Sequence, residues 1–305
     1  MTSTRELKED PPLSSTLASS PDLQTPVGST STTPGSRRKF QPDLPIVIPA
    51  VILFGLLVTA AFPTLVAPFG PLDIDPAHAF SVPSPSHWFG TDESGRDVFS
   101  RVVHGTRSSL LIGLLATAVG LGLGVLLGAL AGLGGKTVDF GVSRLLEVLF
   151  AFPSLLLALL VITILGPGVV STTIAVGLST APGYARLIRS QVMSVRRSGY
   201  VESAVVLGRS RWFVISRHIL PNVAAPLFVL ATLGIGQAIV WASSLSFLGL
   251  GATPPDPEWG SMLSVGRRYL ANAWWLTVFP GLFIVLSAAA TTVLGHSLQR
   301  RLKDK

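Results

Sequence analysis

The chain has 305 residues, of which 48% are hydrophobic and only 13% charged, with a mean hydropathy of +0.57. A soluble globule carries about 25% charged residues, so this composition excludes an ordinary water-facing domain and calls for lipid. The formal charge of +7 and pI near 10.4 fit either nucleic acid or an anionic membrane surface, and the absence of cysteine excludes disulfides, thiol catalysis and cysteine-based metal sites.

Residues 1–40 are rich in Ser, Thr and Pro, lack apolar periodicity and end in Arg37, Arg38 and Lys39. Such a composition buries too little surface to offset chain entropy, which predicts a disordered tail. The apolar run after it follows far more chain than the n-region of a signal peptide and is long enough to span, so it reads as a retained anchor.

A run of about 20 uncharged residues can cross the hydrocarbon as a helix. Six such runs are predicted, at about 45–66, 109–133, 148–166, 168–185, 223–247 and 274–297, and none contains Asp, Glu, Lys or Arg. The turn signal Gly166-Pro167-Gly168 makes the third and fourth a helical hairpin, and Pro182 with Gly183 interrupts the fourth. This divides the chain into a tail (1–40), a first span with an external segment (41–108), a core (109–300) holding a cytoplasmic loop at 198–222, and a basic end (301–305). With the N-terminus inside, the cytoplasmic segments hold 18 Lys and Arg against 5 outside, a positive-inside asymmetry. Both termini are then cytoplasmic, and the pI is explained without nucleic acid.

In the second span Gly120, Gly124, Gly128 and Gly132 recur every fourth residue on one face. That pattern fits a close helix-packing seam, or alternatively a pore-lining face. "GLGGKT" at 132–137 imitates a phosphate-binding loop, but the position needing its first glycine is Leu130 and a membrane helix precedes it in place of a strand. Gly134 and Gly135 are expected to end the helix, with Lys136 beside its C-terminal dipole. Nucleotide chemistry, if it drives this chain, belongs to another one.

His78, His87, His104, His218 and His296 are widely separated, no pair has helical metal-ligand spacing, and no G-x-S-x-G elbow is present, so neither a metal site nor a catalytic residue is proposed. The spans lack ionisable groups apart from His296 near the last end, which argues against an ion-coupled carrier, although backbone carbonyls can also hold sodium.

Between the fourth and fifth spans lies "YVESAVVLG", Tyr200–Gly208, flanked by Arg196, Arg197, Arg209, Arg211 and Arg217. Gly199 can cap a short helix with Glu202 at its third position, Val201, Ala204, Val205 and Leu207 supply an apolar face, and Gly208 suits a left-handed stop. Ser210 can cap a second helix to about His218, and Pro221 can open the next span. From the residues alone, an amphipathic interfacial segment is equally open.

The stretch "YVESAVVLG…RHILPN" resembles the "EAA" loop of ABC-importer permease subunits, with Glu202, Ala204, Gly208, Leu220 and Pro221 matching and Ser203 replacing an alanine. "HWFGTDESGRDVFSRVVHGTRSSLLIG" (87–113) and "LSFLGLGATPPDPEWGSML" (245–263) resemble segments of the C-type permease of dipeptide, oligopeptide and nickel importers. The likeness covers roughly 40–300. It implies an all-α membrane protein of the type I importer permease fold in a bacterial plasma membrane, itself non-catalytic and without a bound cofactor. It also implies a homologous B-type permease, two cytoplasmic ATPases (or one fused) carrying ATP and Mg, and an external solute-binding protein. The helix at Tyr200 would then dock in an ATPase groove. Peptides, nickel chelates and glutathione-like molecules all remain open as solutes. A self-sufficient secondary carrier is the rival from another class, and a DNA-binding helix-turn-helix at 200–219 is disfavoured by its place between spans. Asp92, Arg96, Asp97, Arg101 and Trp259, outside the membrane, are compatible with gating, receptor contact or salt bridges that fold an external cap.

Overall fold

The structure is a computed structural model that describes residues 44–303, with side chains from 46 to 301; the expected disordered tail at 1–40 lies outside the described residues. Among these residues the regular structure is helical, with one isolated bridge between Thr91 and Asp97.

Helix α1 (Leu44–Ala61) is apolar throughout, and it stops before residue 66 because Pro63 cannot extend it: Phe62 turns out of helical geometry and Pro63 opens the four-residue α2 (Pro63–Val66). An irregular segment follows, with a single 3-10 turn at Pro76–His78.

Helix α3 (Val98–Leu133) begins eleven residues before the predicted 109. Its start is set by Asp97, whose carboxylate accepts from the Ser100 N–H and hydroxyl, each at 2.7 Å. Its first turns bury Val98, Val102 and Val103. At 36 residues it is about 54 Å long, well beyond the roughly 30 Å hydrocarbon core, so it projects outward. It ends at Gly134, whose N–H bonds Leu130 O at 2.9 Å. Lys136 does not simply flank that end: it is the first residue of α4 (Lys136–Ala151), between the negative pole of one helix and the positive pole of the next.

The predicted span 148–166 is not one straight helix. Helices α4 and α5 (Ser154–Leu165) meet at a bend of 90°. Pro153 pushes Phe152 into extended geometry (φ −89, ψ 131), which turns the chain. Gly166 and Gly168, both at positive φ, reverse it into α6 (Val169–Arg196). Pro182 does not interrupt α6, which runs eleven residues past the predicted 185. The carbonyl its ring leaves without a helical partner is Leu178 O, four residues back, and a membrane helix packed in a bundle carries a proline without ending there.

Past α6 come α7 (Gly199–Val206) and α8 (Arg211–Val214), a π-turn at Ile215–Ile219, α9 (Leu220–Phe247), α10 (Trp259–Gly266) and α11 (Trp275–Lys303). The last helix carries Arg300 and Arg301 within it, so the basic end expected as a tail from 301 stays helical to Lys303. Among the described residues three helices are long and apolar enough to cross a membrane alone, at 98–133, 211–247 and 275–301, and the bent α4–α5 pair makes a fourth. Helix α6 is uncharged only as far as Ala185, and α1 is shorter.

Helix α3 is the centre of the bundle, with α6 along one side and α9 along another. Gly120, Gly124, Gly128 and Gly132 face α6: a methyl at Gly124 would lie 2.5 Å from Tyr184 Cβ, and one at Gly128 2.6 Å from Ala185 O. At Gly120 and Gly132 the nearest atoms, Thr180 Oγ1 and Val192 Cγ1, would each be 2.6 Å away. The two backbones approach that closely only because these positions have no side chain.

Candidate functional site

The loop at 198–222 is built around α7. Its cap is Ser198, one residue before the predicted Gly199: the N–H groups of Val201 and Glu202 both bond Ser198 O, at 3.0 and 3.1 Å. Glu202 therefore sits in the first turn at the positive end of the helix dipole, exposed. Ser203 donates to Gly199 O at 2.8 Å. Val201 and Ala204 are buried with Val192, Val214, Ile219 and Val223, which seats the helix on the bundle.

Not all of the expected apolar face is inside. Val205, Val206 and Leu207 are 59%, 86% and 79% exposed, and Trp212 on α8 is 76% exposed. A continuous apolar ridge thus points away from the protein beside Glu202 and the half-exposed Tyr200. Soluble surfaces seldom leave such a ridge uncovered unless a partner meets it.

The helix ends in a two-bond stop. The Gly208 N–H bonds Val205 O at 3.0 Å and the Arg209 N–H bonds Ala204 O at 3.1 Å, the pairing of a Schellman motif, with Gly208 at φ +73. No atom lies within 4 Å of a Cβ placed there, so backbone conformation alone selects glycine. Ser210 Oγ then accepts from the Phe213 N–H at 3.3 Å and starts α8.

The second predicted helix and the next span are not separate. Arg211–Phe247 runs continuously, with the π-turn where Pro221 cannot supply a helical N–H. Asn222 Nδ2 donates to His218 O at 2.6 Å inside that turn, and His218 packs between Tyr200 and Phe213 at ring distances of 6.0 and 5.7 Å. Leu220 and Pro221 are exposed at the head of α9. Between α7, the α3–α4 turn and the π-turn lies a cavity of about 730 Å³ lined by Arg196, Glu202, Arg209, Arg211 and apolar side chains such as Val201 and Ile219.

The second group of candidates forms a cap at the opposite end of the bundle. Asp92 Oδ2 is 3.6 Å from both Arg96 Nη1 and Arg101 Nε, while its Oδ1 accepts from the N–H groups of Ser94 and Arg96 at 2.9 Å. Arg101, buried, donates to Pro71 O at 2.9 Å and to Pro255 O at 3.0 Å, tying together two loops 184 residues apart in the chain. Asp97 also pairs with His87 Nδ1 at 3.0 Å. Trp259 is fully buried and donates from Nε1 to Val102 O at 3.0 Å. These five residues therefore share one structure, although Asp97 and Trp259 serve as a helix cap and an anchor and do not join the Asp92 ion pairs.

Two residues of that cap were not singled out from the sequence. Glu258, buried, caps α10 by accepting from the N–H groups of Gly260 and Ser261, each at 2.8 Å, and from Ser109 Oγ at 3.3 Å. Burial pushes its carboxyl above the ordinary glutamate value, with these donors opposing the rise. An acid directly before a short apolar helix is a readable cap signal, whereas its partner Ser109, 149 residues away, carries none. Trp275, whose Nε1 donates to Thr91 O at 3.0 Å, closes the cap from α11.

A helical bundle with an exposed short helix at one end and a tied cap at the other can be compared with known proteins. Residues 124–304 match the model of a family described as the binding-protein-dependent transport system inner membrane component. The chain belongs to this family. This permease is 41% identical over 260 residues to the dipeptide transport system permease protein DppC of Alkalihalophilus pseudofirmus, covering 83% of this chain and 85% of the relative. It is 41% identical over 267 residues to the di/tripeptide transport system permease protein DppC of Pseudomonas aeruginosa (83% and 86%). It is 42% identical over 223 residues to the glutathione transport system permease protein GsiD of Pectobacterium atrosepticum (73% and 74%). Among solved structures, an amino acid ABC transporter matches 67% of this chain and 94% of its own at a TM-score of 0.54 and 15% identity. The inward-facing MetNI methionine ABC transporter matches 65% and 96% at 0.51 and 16%. At those identities the likeness shows the fold, that of a type I ABC-importer permease. The permease is a multi-pass membrane protein of the C-type.

Proposed function

We propose that this permease is one half of the translocation path of an ATP-driven importer of di- or oligopeptides. It pairs with a homologous B-type permease, receives solute from an external binding protein, and is driven by cytoplasmic ATPases that carry the ATP and Mg; it contributes no catalytic residue and binds no cofactor itself. Both termini are cytoplasmic, in keeping with the 18 to 5 distribution of Lys and Arg.

The observation that carries the reading is the exposed ridge of Val205, Val206 and Leu207 beside Glu202, on a helix held at one end by Ser198 and stopped at the other by Gly208. Tyr200, Glu202 and Ser203 form the docking surface, Ala204 seats it, and Gly208, Leu220 and Pro221 join it to α9. ATPase closure moves α7, and the continuous helix from Arg211 to Phe247 passes that motion to the membrane as a rigid-body change. Differential contacts in the two ATPase states supply the driving free energy. The four glycines of α3 keep α3 and α6 moving as one piece, and the Asp92, Arg96, Asp97, Arg101 and Trp259 cap holds the external ends together.

The named solutes of the relatives are dipeptides, tripeptides and glutathione, which share the peptide bond. The test is uptake of labelled alanyl-alanine into proteoliposomes holding this chain with its permease, ATPase and binding-protein partners. ATP-dependent uptake competed by other dipeptides is expected. Competition by glutathione alone favours the second reading, a glutathione importer. Gradient-driven uptake by this chain alone contradicts both.

A further inference from the structure

We infer that the side of the bundle remote from α3 is a water-facing wall of the solute path, with Gln237 as its central hydrogen-bonding group. The inference rests on the permease role proposed above and adds which of this chain's own surfaces meets the solute.

The membrane-facing surface is chemically divided. On the outer side of α3 the exposed side chains are Leu111, Leu114, Leu115, Leu126 and Leu130. Along α1 and α11 they are also apolar, for example Val51, Phe54, Leu282 and Val285. Both surfaces suit hydrocarbon.

The third side differs. Helix α9 lays Ile239 on Gly113 of α3, Gly236 on Ala288 and Thr291 of α11, and Gly234 on Tyr184 of α6. What remains free is the row Gln237, Val240, Ser244 and Leu248, spaced by three or four residues and exposed. Gln237 lies ten residues before the end of α9 at Phe247, about 15 Å in, near the middle of a roughly 30 Å core. Its carboxamide has no hydrogen-bond partner among the described residues. An amide offering two donors and an acceptor to lipid, at that depth, is strongly disfavoured; facing water it is satisfied.

Helix α6 shows the same division. Gly177, Tyr184, Ala185, Ile188 and Val192 form its edge on α3. Nearly opposite stand Gly183, with nothing within 4 Å of a Cβ placed there, and the exposed Ser190 and Ser194. Above them α5 covers α6, and past the 90° bend at Pro153 α4 meets α6 through Phe150 under Arg186 and Asp139 on Arg189. Helices α6 and α9 also pack on each other, Tyr184 Oη against Gly234, which sets their free faces on adjoining sides of the bundle. Away from the cytoplasmic end, which begins at Arg186 over the Phe150 ring (4.0 Å) and holds Ser190 and Ser194, this wall offers the Gln237 amide and the Ser244 hydroxyl between apolar Val240 and Leu248, without fixed charge. Such a surface hydrogen-bonds a peptide backbone without trapping either charged terminus, as passage requires.

The chain has no cysteine, so single substitutions report cleanly. Gln237→Cys and Ser244→Cys are compared with the lipid-side Leu115→Cys and Val285→Cys in the assembled transporter in membrane vesicles, using a charged, membrane-impermeant methanethiosulfonate. The wall sites should react at least about tenfold faster than the lipid-side sites, and Gln237→Cys should be protected by alanyl-alanine with binding protein and ATP. Reaction of Gln237→Cys no faster than Leu115→Cys means that lipid or a packed helix covers this face, and overturns the inference. Gln237→Glu should lower uptake of an acidic dipeptide relative to a neutral one by about tenfold, and an unchanged ratio overturns the hydrogen-bonding role. ATP-driven uptake in the Leu115→Cys transporter reads the permease role separately: its loss alongside fast Gln237→Cys labelling sinks the importer reading and leaves the wet face standing.

Discussion

Arg189 holds Asp139 in a two-point ion pair, Nε to Oδ1 at 2.5 Å and Nη2 to Oδ2 at 2.8 Å, and so fastens the α3–α4 elbow to α6. Arg196 Nη1, donating to Gly132 O at 3.1 Å, and Arg186 over the Phe150 ring add to this tie, while Leu146 is the one buried residue of α4. The Asp139 and Arg189 side chains are both about 30% exposed, which limits their coupling to roughly 0.5–1 kcal/mol. Asp139→Arg should reduce uptake and Arg189→Asp likewise, while the double exchange restores part of it. A double exchange no better than either single change would show the pair to be incidental.

At Gly208 the prediction separates conformation from size. The open space around a Cβ there means that bulk is tolerated, while φ +73 disfavours any β-branched residue by about 1–2 kcal/mol. Gly208→Asn should keep most of the ATP-driven uptake, and Gly208→Val should lose most of it with membrane insertion intact. Equal behaviour of the two variants would detach the left-handed stop from function.

The glycine seam responds in the opposite way, through volume. Gly124→Leu drives a branched side chain into Tyr184 and Ala185, and overpacking of this kind costs about 1–3 kcal/mol or forces the helices apart. The yield of folded, detergent-stable permease should fall sharply, whereas Gly122→Leu, at a position with nothing within 4 Å, should leave it near the parent level.

In the external cap, Glu258→Ala strips the buried donors Gly260 N, Ser261 N and Ser109 Oγ of their acceptor, a loss of about 1–3 kcal/mol. Glu258→Gln keeps the shape and an acceptor oxygen, and because burial already disfavours the charged form it should cost less. Thermal stability of the purified permease measures the order: parent, then Gln, then Ala.

These contrasts also show what the chain declares in advance. Uncharged runs marked where the long apolar helices lie, because burial in lipid leaves a one-dimensional signal. The 90° turn at Pro153 was not legible: an apolar run records length and not direction, and the proline lay inside it. The early start of α3 was missed because Arg101 and Arg107 broke the apolar count, although Asp97 followed by Ser100 is a helix cap whose partners lie three residues apart. Partners such as Asp139 with Arg189, 50 residues apart, or Glu258 with Ser109 come together only through the fold. Within the loop, Ser210 capped the next helix as its spacing foretold, whereas the π-turn had no precursor in the sequence beyond Pro221.

The central claim is that α7 is the surface an ATPase grips, and Glu202→Arg tests it most directly. The amount of ATPase co-purifying with the tagged variant, relative to the parent, should fall about tenfold, the equivalent of about 1.4 kcal/mol, while the variant inserts in the membrane at the parent level. A parent-level yield of ATPase together with parent-level ATP-driven uptake would contradict it.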